Sequence, residues 1–336
     1  MDFIKRTNSF LALGQHLKNL NQEVFEEVSQ RASYQNPWFT SDSIKLSITG
    51  IINYLDEQKL LPWLKNYNLI NIAPKKIGVV MAGNIPMVGM HDLICILLSG
   101  HRAIVKLSSQ DDVLIRFIIH ELFSIEPIFK EYIEFVDKLK GMDAVIATGS
   151  DNTSRYFEYY FNKYPHIIRK NRTSVAILNG EESQDELIEL GHDIFSYFGL
   201  GCRNVSKLFL PGRYDIKKLL PYFESYNQVV NHNKYGNNYF YNRSILLVNQ
   251  TQHLDNGFAL FQESEKLVSP ISVIYYEYYE HIDGLINHLK NMDDKIQCYV
   301  TKEPDILNGI PFGKAQMPEI WDFADNIDTM KFLTEI

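Results

Sequence analysis

The sequence predicts an α/β fold made of two doubly wound parallel-sheet lobes behind an N-terminal helical segment. Three observations predict it. Short runs that are apolar throughout, such as "IGVV" in "KIGVVMAG" and "AVIA" in "DAVIATG", fit strands buried on both faces rather than strands with one wet face. These runs alternate with helical patterns, which is the grammar of parallel sheets wound by crossover helices. A length of 336 residues favours two packed lobes over a single core.

Residues 1–70 carry leucine, isoleucine and phenylalanine at three- and four-residue spacing and read as helices, broken near "YQNPWFTSDS". From Pro74 the pattern changes: "KIGVVMAG" is a strand ending in glycine, and a helix is expected from Pro86 to about Gly100. "AIVKLS" follows as a second strand and "DDVLIRFIIHELF" as a helix opened by acidic residues. "DAVIATG" and "NTSRYFEYYF" give a third strand and helix. A second series begins at "SVAILNG", with a helix from Ser183 to about Phe198, the strand "KLFLP", a helix around "DIKKLLPYFESY", and strands at "SILLV", "ISVIYY" and "IQCYV". The lobe boundary falls near Arg172, giving expected domains 1–172 and 173–312 and a C-terminal segment 313–336. The tyrosine-rich "YFEYYFNKY" and "YYEYYEH" read as core and interface packing.

A formal charge of −8 without a lysine and arginine stripe gives no electrostatic reason to bind nucleic acid or an anionic membrane. The longest apolar stretch, "MVGMHDLICILLSG", is interrupted by His91 and Asp92 and is too short to span a bilayer. The amino terminus reads as an amphipathic helix rather than a signal peptide. Three cysteines without C-x-x-C spacing suit a reducing compartment, so a cytoplasmic location is expected.

Cys95 and Cys298 sit in apolar settings where a thiol keeps its proton. Cys202, in "FGLGCRNVSK", differs: Gly199 and Gly201 remove bulk beside it, and Arg203 supplies a positive charge that favours thiolate. Those features fit a nucleophile, and they equally fit a structural cysteine in a turn. In "MAGNIPMVG" a strand ends at a glycine and Asn84 offers an amide, either to developing negative charge or as a helix cap. Thr148, Gly149 and Ser150 join a strand end to a helix start, where backbone amides can hold a pyrophosphate. There is no G-x-G-x-x-G, P-loop, H-E-x-x-H or G-x-S-x-G motif, and no cysteine pair at zinc spacing, so no metal site is expected. His192 could act as a base for Cys202 only if the intervening loop folds back.

In this order, "GVVMAGNIP", "LLSGHRAIVKLSS", "IATGS", "GLGCRNVSKLFLP", "VSPISVIYYE" and "IPFGKAQ" resemble the aldehyde dehydrogenase superfamily, and within it the LuxC-type acyl-CoA reductases, from about residue 74 onward. The resemblance implies an aldehyde-dehydrogenase-like fold, with a nicotinamide-cofactor-binding first domain and a catalytic second one. It further implies that Cys202 is the nucleophile forming a thioester, and that Asn84 with the Cys202 backbone amide forms the oxyanion hole. Lys106 would meet the cofactor ribose, and Gly149 with Ser150 would form the turn beside nicotinamide and pyrophosphate. Pro270 would lie near the cofactor in a strand segment, and Phe312 would line the site.

Two departures sharpen the reading. Where oxidising members carry a glutamate that activates water, this chain reads "IIRKNRTSV", so a thioester on Cys202 should persist until a thiol or hydride takes it. Three residues after Lys106 stands Ser109, not a glutamate that would repel a 2′-phosphate, which makes NADPH (NADP) the expected cofactor. The expected reaction is reduction of a fatty acyl thioester to an aldehyde, with acyl-CoA or an acylated protein as donor. An acyl-protein synthetase partner and a homo-oligomer are further expectations, although the chain is shorter than typical aldehyde dehydrogenases. The alternatives are a CoA-independent aldehyde dehydrogenase and a non-catalytic relative that binds an acyl carrier.

Overall fold

Side-chain caps cut the amino-terminal segment into four helices. Asp2, Asn21, Thr40 and Asp56 each accept a main-chain N–H of the first turn, opening α1 (Phe3–Lys18), α2 (Gln22–Gln35), α3 (Ser41–Tyr54) and α4 (Glu57–Leu64). The computed structural model describes residues 1–70 and 72–336, which form two units: Met1–Asn171 with Pro318–Ile336, and Arg172–Met317.

In unit 1, β1 (Lys76–Val80), α5 (Met90–Leu98), β2 (Arg102–Lys106), α6 (Val113–Ile125), β3 (Ile133–Phe135), β4 (Ala144–Thr148), α7 (Asp151–Phe161) and β5 (His166–Arg169) follow the helices. The sheet order is β3-β2-β1-β4-β5, parallel throughout. Strands therefore step one way from β1 and the other way from β4. Their carboxyl ends, Val80 and Thr148, meet at the topological switch point where doubly wound sheets open a crevice. One face packs on the amino-terminal helices through Phe10, Leu13, Ile44 and Leu60. The helix expected from Pro86 begins instead at Met90. Met87 takes φ 60° and Gly89 is the N-cap, so residues 86–89 form a turn. Helix α6 opens without a cap from its own N-cap Asp112; Gln35 of α2 instead accepts from the amides of Asp112 and Val113.

The expected C-terminal segment 313–336 divides between the units, with Pro318–Ile336 in unit 1. There Ile320, Met330 and Leu333 join the core, the last two from α11 (Thr329–Glu335). Arg169 pins this segment: it pairs with Asp92 at 2.7 Å and donates to Ala324 O and to Thr329 Oγ1.

Unit 2 comprises β6 (Thr173–Ile177), α8 (Gln184–Phe195), β7 (Val205–Pro211), α9 (Asn233–Val248), β8 (Leu254–Asp255), β9 (Leu260–Glu263), β10 (Val273–Tyr279), α10 (Ile282–Lys290) and β11 (Ile296–Thr301). Its sheet order is β11-β6-β7-β10-β9-β8, parallel except for the edge pair β8 and β9. Helix α8 opens with a reciprocal box between Ser183 and Glu186. Two expectations fail here. "SILLV" is the last turn of α9 rather than a strand, because His232 caps a helix that runs unbroken through it. "DIKKLLPYFESY" folds as 3-10 turns, Ile216–Lys218 and Leu220–Asn231, with Pro221 at the start of the second.

Candidate active site

Unit 1 carries Asn84, Lys106, Ser109 and Thr148–Ser150 at or just beyond the carboxyl edge of its sheet. Asn84 is exposed in the β1–α5 connection and does not cap α5, since Gly89 holds that place. The connection is fixed from several sides. Gly83 O accepts from Asn36 Nδ2 at 3.2 Å, Pro86 O accepts from Ser47 Oγ at 2.8 Å, and Met87 N donates to Asp111 Oδ2 at 2.6 Å. A β-carbon at Gly83 would stand 2.6 Å from Ser108 Oγ, so only glycine lets this turn approach the residues after β2. Asp111 is 2 % exposed, and its other oxygen, Oδ1, has no partner. Burial pushes its carboxyl up to about 7.

Lys106 ends β2 half-buried, opposite Val80, and Ser109 is exposed with its carbonyl accepting from Gln35 Nε2. Thr148 closes β4, Gly149 donates to Arg169 O, and Ser150 caps α7 by accepting from Thr153 N. Ser150 thus has a structural duty at the α7 N-terminus.

Unit 2 carries Cys202, Pro270 and Phe312. None of the three cysteines forms a disulfide, and they divide sharply by exposure: Cys202 is exposed, while Cys95 and Cys298 are buried. Burial raises the Cys95 thiol well above its ordinary value and the Cys298 thiol to about 11. Cys202 sits on a closed turn just before β7. Asn204 N donates to Gly201 O at 3.0 Å, and Gly201 N donates back to Asn204 Oδ1 at 2.8 Å. The Cys202 carbonyl accepts from Ser174 Oγ of β6 at 3.0 Å. The chain enters the turn through three successive left-handed residues, Tyr197, Phe198 and Gly199. For the first two that conformation costs of order 1–3 kcal/mol each and persists only where neighbours enforce it. Arg203, next to Cys202 in sequence, is half-buried with Nη1 lacking a hydrogen-bond partner among the described residues, and its charge acts on the buried Cys298 thiol, against the rise that burial causes.

Pro270 is exposed in the loop before β10 rather than in a strand, and Phe312 is 6 % exposed within the unit 2 core. Strands β7 and β10 pair in parallel with Lys207 opposite Tyr275, so the Cys202 and Pro270 segments enter the sheet from one edge. His192, on α8, has its Nδ1 buried without a hydrogen-bond partner among the described residues, and burial lowers its affinity for a proton.

Sequence reasoning missed three residues that hold this turn: Asn204, Ser174 and Asp193. Asn204 reads as an ordinary polar residue after "CR", yet it is 2 % exposed and its Nδ2 donates to the carbonyls of Asp193, Ile194 and Ser196. The signal for Asp193 was present, because it falls three residues after Leu190 on the apolar face of α8. Among the described residues no group of three His, Cys, Asp or Glu could hold a metal ion, and no helix is long and apolar enough to cross a membrane.

Comparison with known proteins places this geometry. Among solved structures, aldehyde dehydrogenase 21 from Physcomitrella patens, in complex with the reaction product succinate, aligns with a TM-score of 0.70 at 12% identity, covering 100% of this chain and 84% of that one. An NAD+ complex of an aldehyde dehydrogenase from Bacillus cereus aligns at 0.63 and 12% identity, covering 90% and 72%. A substrate-bound aldehyde dehydrogenase from Staphylococcus aureus aligns at 0.60 and 16% identity, covering 93% and 80%. Identities this low speak to the fold alone, which is that of the aldehyde dehydrogenases. No match was found among curated proteins. Residues 53–219, from α3 through the Cys202 turn and β7, match the family model "Acyl-CoA reductase (LuxC)". That match, over just under half of the chain, makes the chain similar to the LuxC acyl-CoA reductases and indicates an oxidoreductase acting on aldehyde or acyl groups.

Proposed function

We propose that the chain reduces a fatty acyl thioester to an aldehyde through a covalent acyl group on Cys202, with NADPH as the hydride donor. The observation that carries the reading is the contrast among the cysteines, since only Cys202 is exposed, on a turn closed by hydrogen bonds. The Cys202 sulfur attacks the thioester carbonyl, the bond to the departing thiol breaks, and the new thioester links the acyl group to the enzyme. Asn84, exposed after β1, is the residue to which the family resemblance assigns the oxyanion. The segment between β5 and β6 is Lys170, Asn171 and Arg172 and has no carboxylate, so no general base there activates water against the acyl-enzyme.

The carboxyl edge of the unit 1 sheet suits a nicotinamide cofactor. Lys106 is half-buried at the end of β2, the α7 N-terminus opens beside Gly149 and Ser150, and exposed Ser109 puts no negative charge against a 2′-phosphate. When bound, that cofactor supplies the hydride. Lys106 and Ser109 would bind and orient it; the roles of Pro270 and Phe312 rest on the family resemblance alone. Acyl-CoA or an acylated protein is the donor, and a synthetase that loads such a protein is the corresponding partner.

The test is a coupled assay with acyl-CoAs of several lengths, following CoA thiol release and NADPH oxidation. The expected result is stoichiometric CoA release without NADPH and continuous aldehyde production with it. Cys202→Ser should bring both to background, and Asn84→Ala should slow both by about 10²-fold or more. CoA release that survives Cys202→Ser would overturn the reading.

A further inference from the structure

We propose that Asp193 is a positioning residue that, with Asn204, fastens the turn bearing Cys202 and the segment 313–316 to the carboxyl-terminal end of α8. The proposal rests on Cys202 being the acylated residue. Helix α8 buries Leu187, Leu190, Gly191, Ile194 and Phe195, and Asp193 lies among them with no exposed surface. A leucine there would bury the same face without desolvating a carboxylate. What the aspartate adds is directional. Oδ2 accepts from Gly313 N at 2.7 Å and Oδ1 from Ala315 N at 3.0 Å.

The main chain of the same residue completes the fastening. Asp193 O accepts from Asn204 Nδ2 at 3.1 Å and from Gln316 Nε2 at 3.4 Å. Asn204 in turn accepts from Gly201 N and so closes the Cys202 turn. One helix position therefore holds two segments far apart in sequence, one with the thiol and one with Phe312. No cation neutralises the carboxylate. The charged and titratable groups facing it are Glu189 on its own helix, Lys314 in the segment it holds, Tyr226 and Cys298, and Lys314 is exposed. A buried carboxylate satisfied only by main-chain amides organises backbone rather than balancing charge.

The full-length protein supplies the test through two variants and two readouts. Asp193→Asn keeps the volume and removes the charge and one acceptor; Asn204→Ala removes the link from the helix end to the turn. Hydrogen exchange should rise roughly tenfold or more at Gly313 and Ala315 in Asp193→Asn, whose main-chain carbonyl still accepts from Asn204, and at Gly201 in Asn204→Ala. The unit 1 strand amides should stay unchanged in both, which certifies folding. In acyl transfer from decanoyl-CoA, both variants should lose about 10²-fold in kcat with KM for the acyl-CoA unchanged, as misplacement of a reacting atom by about 1 Å does. Unchanged exchange at Gly313 and Ala315 in Asp193→Asn or at Gly201 in Asn204→Ala, or raised exchange with wild-type kcat, would overturn the proposal. If the wild-type protein accepts no acyl group, the proposed function fails, and the exchange pattern still decides whether Asp193 joins the two segments.

Discussion

Asp92 in unit 1 and Asp193 in unit 2 are both buried on the core face of a helix, and they meet opposite surroundings. Burial alone would raise Asp92, but the Arg169 charge and hydrogen bonds outweigh it and hold the carboxyl below the usual range. Asp193 has two amides and, among the described residues, no ion pair, with exposed Lys314 acting only weakly, and burial prevails, pushing its carboxyl up to about 7. Asp111 behaves like Asp193, with one amide bond and an unpartnered oxygen. The difference teaches what each carboxylate is for. Asp92 joins an ion pair that ties α5 to β5 and the C-terminal segment, whereas Asp193 and Asp111 shape loops that carry Cys202, Phe312 and Asn84.

Breaking the ion pair gives the largest effect. Arg169→Leu leaves Asp92 buried without its cation, and thermal or denaturant unfolding should show a loss of about 3–5 kcal/mol. Replacing both residues, Asp92→Leu with Arg169→Leu, should recover most of that loss, because no charge then remains to be solvated.

Next comes pH. A carboxyl raised on folding keeps its proton longer in the native state, so its stabilising contribution is complete below its ordinary 3.8 and is lost as pH rises through about 7. That interval corresponds to on the order of 4 kcal/mol for a fully buried group. The difference in unfolding free energy between wild type and Asp193→Asn, measured from pH 4 to 8, should therefore fall as pH rises and level off above 7. Asp111→Asn should remove a slope of the same sign. A flat difference would show that these carboxyls do not hold their protons in the fold. Ser174→Ala gives the smallest effect: loss of one hydrogen bond to the Cys202 carbonyl should cost roughly 1 kcal/mol, read by thermal unfolding.

Strands buried on both faces were legible because "IGVV", "AIV" and "AVIA" are consecutive apolar residues without the alternation that a solvent-exposed face imposes. Strand β5 was not, since "HIIR" is short and ends in an arginine whose burial depends on Asp92, distant in sequence. "SILLV" misled because β-branched and leucine residues favour a strand locally, while Ile245, Leu247 and Val248 are exposed at the end of a helix already under way. At the candidate site, glycines and arginine around Cys202 pointed to the thiol. The parts that hold it, Asn204, Ser174 and Asp193, became visible only as hydrogen bonds across elements.

The most direct test is intact-protein mass spectrometry with peptide mapping after incubation with an acyl-CoA and no reductant. The account predicts one added acyl mass on the peptide carrying Cys202, stable in buffer and discharged when NADPH is added. An acyl mass on another residue, or a Cys202 adduct that hydrolyses at once or ignores NADPH, would contradict it.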